Sequence, residues 1–400
     1  MSGAGGTHMI YLDNAATTLH KPPAVSSAMS WALRHAGGVG RSAHKPALTG
    51  AEILYDTRLM AAELFGAEDP RRVIFAYNAT HALNLALYAM SHCKHFAISP
   101  FEHNAVLRPV MELVKRNHAK VTILDGKLWD DSVLLESAEK AIQNGADCFV
   151  LCHVSNVYGY IQPLQQLDQM LCTHGIPLVL DASQSAGTIP LDVRDYPSLT
   201  AVCMPGHKGL YGPPGTGLLL WIGEELPMPL LQGGTGSASE ELGMPEFLPD
   251  RMECGTHNTV GIAGLFEGMK FIQKIGQEDI LRHECMLRKH IQMRLRGIPG
   301  IQMLHAPLSE QQTGVLSFVS RQLPAETIAQ RLAEHGICVR AGLHCAPLAH
   351  RTGGTITGGT IRISPGWFET KRQAESFCRV LEWISGKEKE QNFDQTIHSV

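Results

Sequence analysis

The sequence predicts an α/β fold: a mostly parallel sheet flanked by helices, with a smaller α+β domain toward the C-terminal end. Three observations predict it. Between Arg72 and Asp181 short apolar runs alternate with helix-length segments, the pattern of βαβ units in a parallel sheet. The alternation stops near Gly233-Gly-Thr-Gly236, and from residue 258 a long helical stretch leads into the order β, α, β, β, α. Finally, 400 residues with 44% apolar and 18% charged side chains suit a globular chain of about two domains and exclude a disordered one.

Taken in order, Ile10-Tyr-Leu is a short apolar run that ends in the polar turn Asp13-Asn-Ala-Ala-Thr-Thr18. A helix is expected from Pro22 or Pro23 to about His35, then a Gly/Ser/His loop over 37–44, then a helix over 48–65 with Leu54, Leu59, Ala62 and Leu64 among its apolar positions. Strands are expected at 72–77, 95–99, 120–124, 149–153 and 177–181, and helices at 79–90, 105–117, 131–143 and 164–174. Leu199 to Met204 reads as a further strand. A Gly/Pro-rich turn follows it, and Leu218-Leu-Leu-Trp221 reads as the returning strand. Residues 258–290 read as helical throughout. Beyond them come strands at 314–319, 337–340 and 360–364 and helices at 324–335 and 369–385. The expected division is a large domain over 21–257, a small domain from 10–20 plus 258–386, and a polar, frayed tail over 387–400. Residues 1–9 read as a cloning remnant with the native start at Met9.

A formal charge of −4 gives no reason to expect nucleic acid or an anionic membrane as partner. No apolar run approaches a membrane span, and no signal-peptide pattern is present. The ten cysteines show neither a CxxC pair nor the spacing of a disulfide framework, so a reducing, cytoplasmic compartment and no metal site are expected. The 20 histidines are mostly scattered, as surface or satisfied core residues are.

Four positions carry chemistry. Lys208 stands between a strand and a stiff turn, where a fixed and partly desolvated amine can form a Schiff base with an aldehyde; the plain alternative is a surface lysine in a loop. Asn78-Ala-Thr-His81 follows a strand and opens a helix, where free N–H groups and the Thr80 hydroxyl can take a phosphate, although most such residues are ordinary caps. Asp181 ends an apolar strand, where active sites of parallel sheets collect; a carboxylate buried there needs a cation, and a protonated pyridine nitrogen would serve. His103 also follows a strand end and can stack on a flat ring and move protons, although a lone histidine there is more often structural.

Together these stretches resemble the cysteine desulfurase and selenocysteine lyase branch of the class V, fold type I pyridoxal-phosphate enzymes. The matching segments are Tyr11-Leu-Asp-Asn-Ala-Ala-Thr-Thr18, Asn78-Ala-Thr-His-Ala-Leu-Asn84, Glu102-His-Asn104, Ser155-Asn-Val157, Asp181-Ala-Ser-Gln184, Gly206-His-Lys208, Gly255-Thr-His-Asn258 and Arg340-Ala-Gly-Leu-His-Cys-Ala-Pro347, and they fall in the family's order. The resemblance implies a fold type I transferase binding pyridoxal 5′-phosphate. Lys208 holds the aldehyde, Asp181 pairs with the ring nitrogen, Gln184 bonds the ring hydroxyl and His103 stacks on the ring. Thr80, the His81 amide and His207 hold the phosphate, and Thr256 reaches the phosphate of the other subunit in a homodimer with shared sites. Asn156, Arg340 and Arg362 surround the substrate carboxylate, which a guanidinium fork suits. Cys345 takes the sulfur, in a setting made positive by His344 and Arg340 that favours a thiolate.

The implied reaction converts L-cysteine to L-alanine with a persulfide on Cys345, which is passed to an acceptor protein; L-selenocysteine is a second candidate substrate. Another class V reaction (transamination, β-elimination, epimerisation) and a non-catalytic sulfur-carrier scaffold remain open alternatives. Two departures point to a side branch: Pro205 stands where the family often has a serine, and Gly209 is an extra glycine after the lysine. Cys345 and Arg362 lie 17 residues apart, which resembles the short-loop, group II enzymes.

Overall fold

Seven apolar runs of four to seven residues build the main sheet: β2 (Val73–Ala76), β3 (His95–Ile98), β4 (Lys120–Ile123), β5 (Cys148–Cys152), β6 (Leu178–Asp181), β7 (Leu199–Pro205) and β8 (Gly217–Trp221). The computed structural model describes residues 9–40 and 42–397. The strand order is β2-β8-β7-β6-β5-β3-β4. From β7 to β4 every pairing is parallel, and β8 runs antiparallel to both β7 and β2. Central strands β5 and β6 are buried along their whole length, as continuous apolar strands between helical layers must be. The predicted α/β class with a mostly parallel sheet is therefore the observed one.

The helices of this unit are α1 (Pro23–His35), α2 (Lys45–Phe65), α3 (Ala79–Ala89), α4 (Asn104–Asn117), α5 (Asp131–Gln143), α6 (Leu164–Thr173) and α7 (Thr259–Ile275). Their ends follow local chemistry. Pro23 and Pro46 sit in first turns, where a missing N–H costs nothing, and α2 stops at Gly66 in the left-handed conformation. Asn78 caps α3 by accepting the His81 N–H at 2.9 Å.

The chain divides into two units, residues 20–154 with 162–278 and residues 9–19 with 155–161 and 279–397. Two differences from the sequence expectation stand out. Residues 259–275 stay with the larger unit because α7 packs on α1 and α2. The single helix expected over 258–290 is broken at Gly276, whose φ of 93° no helical residue adopts, and α8 (Gln277–Leu295) starts afresh.

The smaller unit holds an antiparallel sheet in the order β12-β13-β10-β9, made of β9 (Ile301–Leu304), β10 (Leu316–Ser320), β12 (Arg340–Gly342) and β13 (Thr360–Ile363). A separate two-stranded parallel ribbon joins β1 (Ile10–Tyr11) to β11 (Ile337–Cys338). The strand expected at 337–340 is thus two short ones in different sheets. Strand β9 and helix α10 (Pro347–Thr352) were not expected. Leu12, Leu287, Ile291, Phe318, Ile328, Leu332, Ile361 and Phe377 form this unit's core, under α8, α9 (Ala325–Glu334) and α11. Helix α11 spans Lys371–Ile397, so most of the expected polar tail continues a helix. The remnant expected at 1–9 lies, except for Met9, outside the described residues, as do 398–400.

Candidate active site

In the larger unit the chemistry-bearing side chains follow the carboxyl ends of parallel strands, where helix N-termini and loops leave room for a ligand. His103 comes after β3, Asp181 ends β6, and Lys208 lies beyond β7. Asp181 is 4% exposed, and its Oδ1 accepts the Ser183 N–H at 2.9 Å. Gln184 is half-buried in the turn that follows. His103 caps α4, its Nδ1 accepting the Ala105 N–H at 3.0 Å, which leaves Nε2 as the nitrogen that carries the proton.

The Lys208 turn is closed by Gly206 N–H to the Thr216 carbonyl, Gly212 N–H to the Gly206 carbonyl and Tyr211 N–H to the Lys208 carbonyl, at 2.8, 2.8 and 2.9 Å. It packs backbone to backbone on the turn after Asp181. A Cβ on Gly209 would run into the Ala186 carbonyl, and one on Gly187 into the Gly209 carbonyl. The extra glycine noted in the sequence is therefore the residue that lets the lysine turn lie directly on the aspartate turn. Lys21 Nζ donates to the His207 carbonyl at 3.4 Å, and burial lowers the Lys21 pKa to about 8. Burial, then Lys208 and Lys21, push the His207 imidazole down to about 4, so it is uncharged.

At the start of α3 the structure revises one expectation. The His81 N–H is taken by the Asn78 cap. The ring offers something else: His81 Nδ1 accepts the Tyr77 N–H at 3.2 Å, burial keeps the ring neutral, and Nε2 is buried with no acceptor. A buried N–H without an acceptor beside the first-turn N–H groups and the Thr80 hydroxyl is what an incoming phosphate satisfies. Pro205, at the end of β7 opposite Gly217, brings no hydroxyl.

Thr256 is exposed and lines a cavity of about 600 Å³ with Arg58, Arg71, His257 and the 234–237 loop. Its segment is anchored through Glu253. Glu253 takes both Arg58 Nη atoms at 2.8 and 2.6 Å and the Phe75 N–H at 2.6 Å, and lies 3.2 Å from His257 Nε2. Sequence reasoning missed this buried pair, because its partners lie 195 residues apart.

The smaller unit gathers Asn156, Arg340, Arg362 and Cys345. Arg340 and Arg362 are directly opposed on β12 and β13. Arg362 is 1% exposed, its Nη2 meets Asp13 Oδ1 at 2.8 Å, its Nη1 donates to the Asn156 carbonyl at 2.9 Å, and its buried Nε has no partner. Burial lowers the Arg362 pKa, Asp13 raises it and Arg340 lowers it again. Two facing guanidinium groups against the single carboxylate of Asp13 leave a positive balance that suits one more carboxylate.

Cys345 is exposed, and its loop is fixed. His344 and Cys345 both have positive φ, 48° and 57°, a conformation disfavoured for residues with a side chain. Asn156 Nδ2 donates to the His344 carbonyl at 2.8 Å, and His344 Nε2 meets Thr360 Oγ1 at 3.0 Å. The expectation that His344 makes the thiol's setting positive needs correction: burial, Arg362 and His350 push that imidazole down to about 2, so it is neutral and acts as a strut. Arg340 remains as the nearby cation in sequence.

The aminotransferase class-V family model matches residues 10–377. A probable cysteine desulfurase of Pyrococcus abyssi is 32% identical over 390 residues, covering 94% of both chains. One of Pseudomonas putida is 31% identical over 94% of this chain and 93% of its own. Among solved structures, the apo cysteine desulfurase of Thermococcus onnurineus NA1 superposes with a TM-score of 0.86 at 29% identity, and an Escherichia coli cysteine desulfurase in an S-sulfonic acid form with 0.82 at 25%. Each of these covers 94% of both chains.

Proposed function

The chain belongs to the class-V aminotransferase family, and on that premise we propose that it is a pyridoxal-phosphate-dependent cysteine desulfurase, converting L-cysteine to L-alanine and leaving the sulfur on Cys345. The observation that carries the reading is the backbone contact between the turn that holds Lys208 and the turn that follows the buried Asp181, both at the carboxyl edge of the sheet.

When bound, the cofactor supplies an electron-withdrawing ring that stabilises negative charge at the substrate's α-carbon. Asp181 would pair with the ring nitrogen. Lys208 would hold the aldehyde, and its Nζ would serve as the base near the substrate's α-carbon. Thr80 and the His81 ring would hold the phosphate, and His103 and Gln184 would hold the ring. Arg362, with Arg340 and Asn156, orients the substrate carboxylate. The Cys345 thiolate attacks the substrate sulfur: a sulfur–sulfur bond forms, the carbon–sulfur bond breaks, its electron pair stays with the substrate carbon, and that carbon is protonated to alanine. The persulfide then passes to an acceptor thiol on another protein.

The exposed Thr256 beside Arg58 and Arg71 fits a second copy's phosphate, which supports a homodimer with shared sites. Ten free cysteines fit a reducing cytoplasm. L-selenocysteine, with a better leaving group, fits the same machinery. Purified protein loaded with pyridoxal phosphate should be yellow, and borohydride should fix the cofactor on Lys208. With cysteine and a reductant it should release alanine. Pyruvate in place of alanine, or the reduced adduct on another lysine, would overturn the assignment.

A further inference from the structure

Glu102 is completely buried and has no part in the chemistry described so far. It lies in the turn after β3, one residue before His103. Its Oε1 accepts the Cys152 N–H at 2.6 Å. Strand β3 ends at Ile98, so β5 has no strand partner on that side at Cys152, and the Glu102 carboxyl oxygen takes the place of the missing strand carbonyl. Cys152 is also the residue registered opposite Asp181, and the next N–H, that of His153, donates to the Asp181 carbonyl at 2.9 Å. The other side of Cys152 is fixed too: Gln162 Nε2 donates to its carbonyl, and the Ser99 hydroxyl donates to Gln162 Oε1 at 2.7 Å.

We propose that Glu102 is a positioning residue for the cofactor ring: its carboxyl oxygen ties the turn that leads into His103 to the β5 end that registers Asp181. The inference rests on the reading that Asp181 and His103 hold that ring, and it adds how one side chain sets both. The second oxygen, Oε2, is buried with no hydrogen-bond partner. A charged carboxylate there would be costly. Burial first, and Asp181 second, raise the Glu102 pKa well above the usual carboxylate range, against the lowering effect of the Cys152 N–H. A neutral Glu102 puts no second negative charge beside Asp181, the residue that the proposed reading pairs with the ring nitrogen.

Two variants of the full chain test this, Glu102→Gln and Glu102→Met, by titrating the cofactor-free protein with pyridoxal phosphate. The readouts are the dissociation constant, the visible circular dichroism of the bound cofactor and the pH midpoint of its visible band. Gln keeps the acceptor and the neutral charge, so all three should match wild type within about twofold in affinity. Met removes the acceptor, and losing one buried hydrogen bond should weaken cofactor binding about tenfold or more and alter the dichroism. A Met variant equal to wild type in both would overturn the inference. So would a Gln variant whose band midpoint moves by a full pH unit, which would mean Glu102 had carried charge; this arm decides alone if the Met variant does not fold. A wild-type chain that takes up no cofactor would overturn the parent reading as well, and that result is distinct from the other two.

Discussion

Replacing Arg362 with lysine keeps a positive charge at the end of β13 and removes the fork. In the structure that fork already makes two contacts, Nη2 to Asp13 at 2.8 Å and Nη1 to the Asn156 carbonyl at 2.9 Å, with Nε buried and without a partner. A lysine ammonium is a single point and cannot serve Asp13, Asn156 and a substrate carboxylate together. Losing the two charge-assisted hydrogen bonds that the rest of the fork would make to the substrate carboxylate, at roughly 1.5–3 kcal/mol each and partly offset by the retained charge, leaves about 3 kcal/mol. That corresponds to about a hundredfold in kcat/KM. The substrate carboxylate does not change during the reaction, so the loss should fall mainly on KM. Steady-state alanine release over a range of cysteine concentrations measures both constants. A KM within about threefold of wild type, with kcat reduced instead, would refute the role given to Arg362. It would then act only by holding Asn156 and, through it, the His344 carbonyl.

Two further outcomes follow from the same structure. Cys345→Ala should keep cofactor colour and cysteine binding, because Lys208, Asp181 and the phosphate site are untouched, while alanine release from cysteine collapses; part of the activity on selenocysteine should survive, since selenium leaves without a thiolate to accept it. Wild-type alanine release from that variant would sink the persulfide mechanism. The Glu284 carboxyl, raised to about 8 by burial and then by Glu369, binds its proton more tightly folded than unfolded, where its pKa is about 4.3. It therefore costs stability increasingly as pH rises from about 4.3 to 8. Glu284→Gln should melt higher than wild type at pH 8.5 and alike at pH 4, and a scanning-calorimetry difference independent of pH would refute the assignment.

Much of this was legible because it is local. Period and length mark the alternating strands and helices. Asp181 is visible because it ends an apolar run that reads as a buried strand, and Lys208 because it stands in the Gly/Pro-rich turn just after one. What stayed hidden depends on partners far away in the chain. Nothing near Asp13 announces Arg362, 349 residues on. Gly209 looked like an oddity until the Ala186 carbonyl explained it. The His81 amide was a fair candidate for phosphate, yet the neighbouring Asn78 claims it. Strand β9 escaped because Ile301-Gln-Met-Leu304 is short and only partly buried. His344 looked like a charge donor in sequence, and only its depth in the fold shows that it carries no charge.

The ribbon of β1 with β11 has a consequence for how the chain acquires its structure. Ile10 pairs with Ile337, and Asp13 bridges to Ser364. Ile10 and Asp13 must wait for partners far later in the chain, so the ribbon cannot form until the segment around Ile337 has left the ribosome. The central strands of the larger sheet are joined by much shorter crossovers and can assemble earlier. Arg362, which Asp13 neutralises, belongs to that last-formed part. A chain still being made can therefore have Lys208 and Asp181 in place while Arg362 and Cys345, the residues proposed to hold the substrate carboxylate and to accept its sulfur, are still missing.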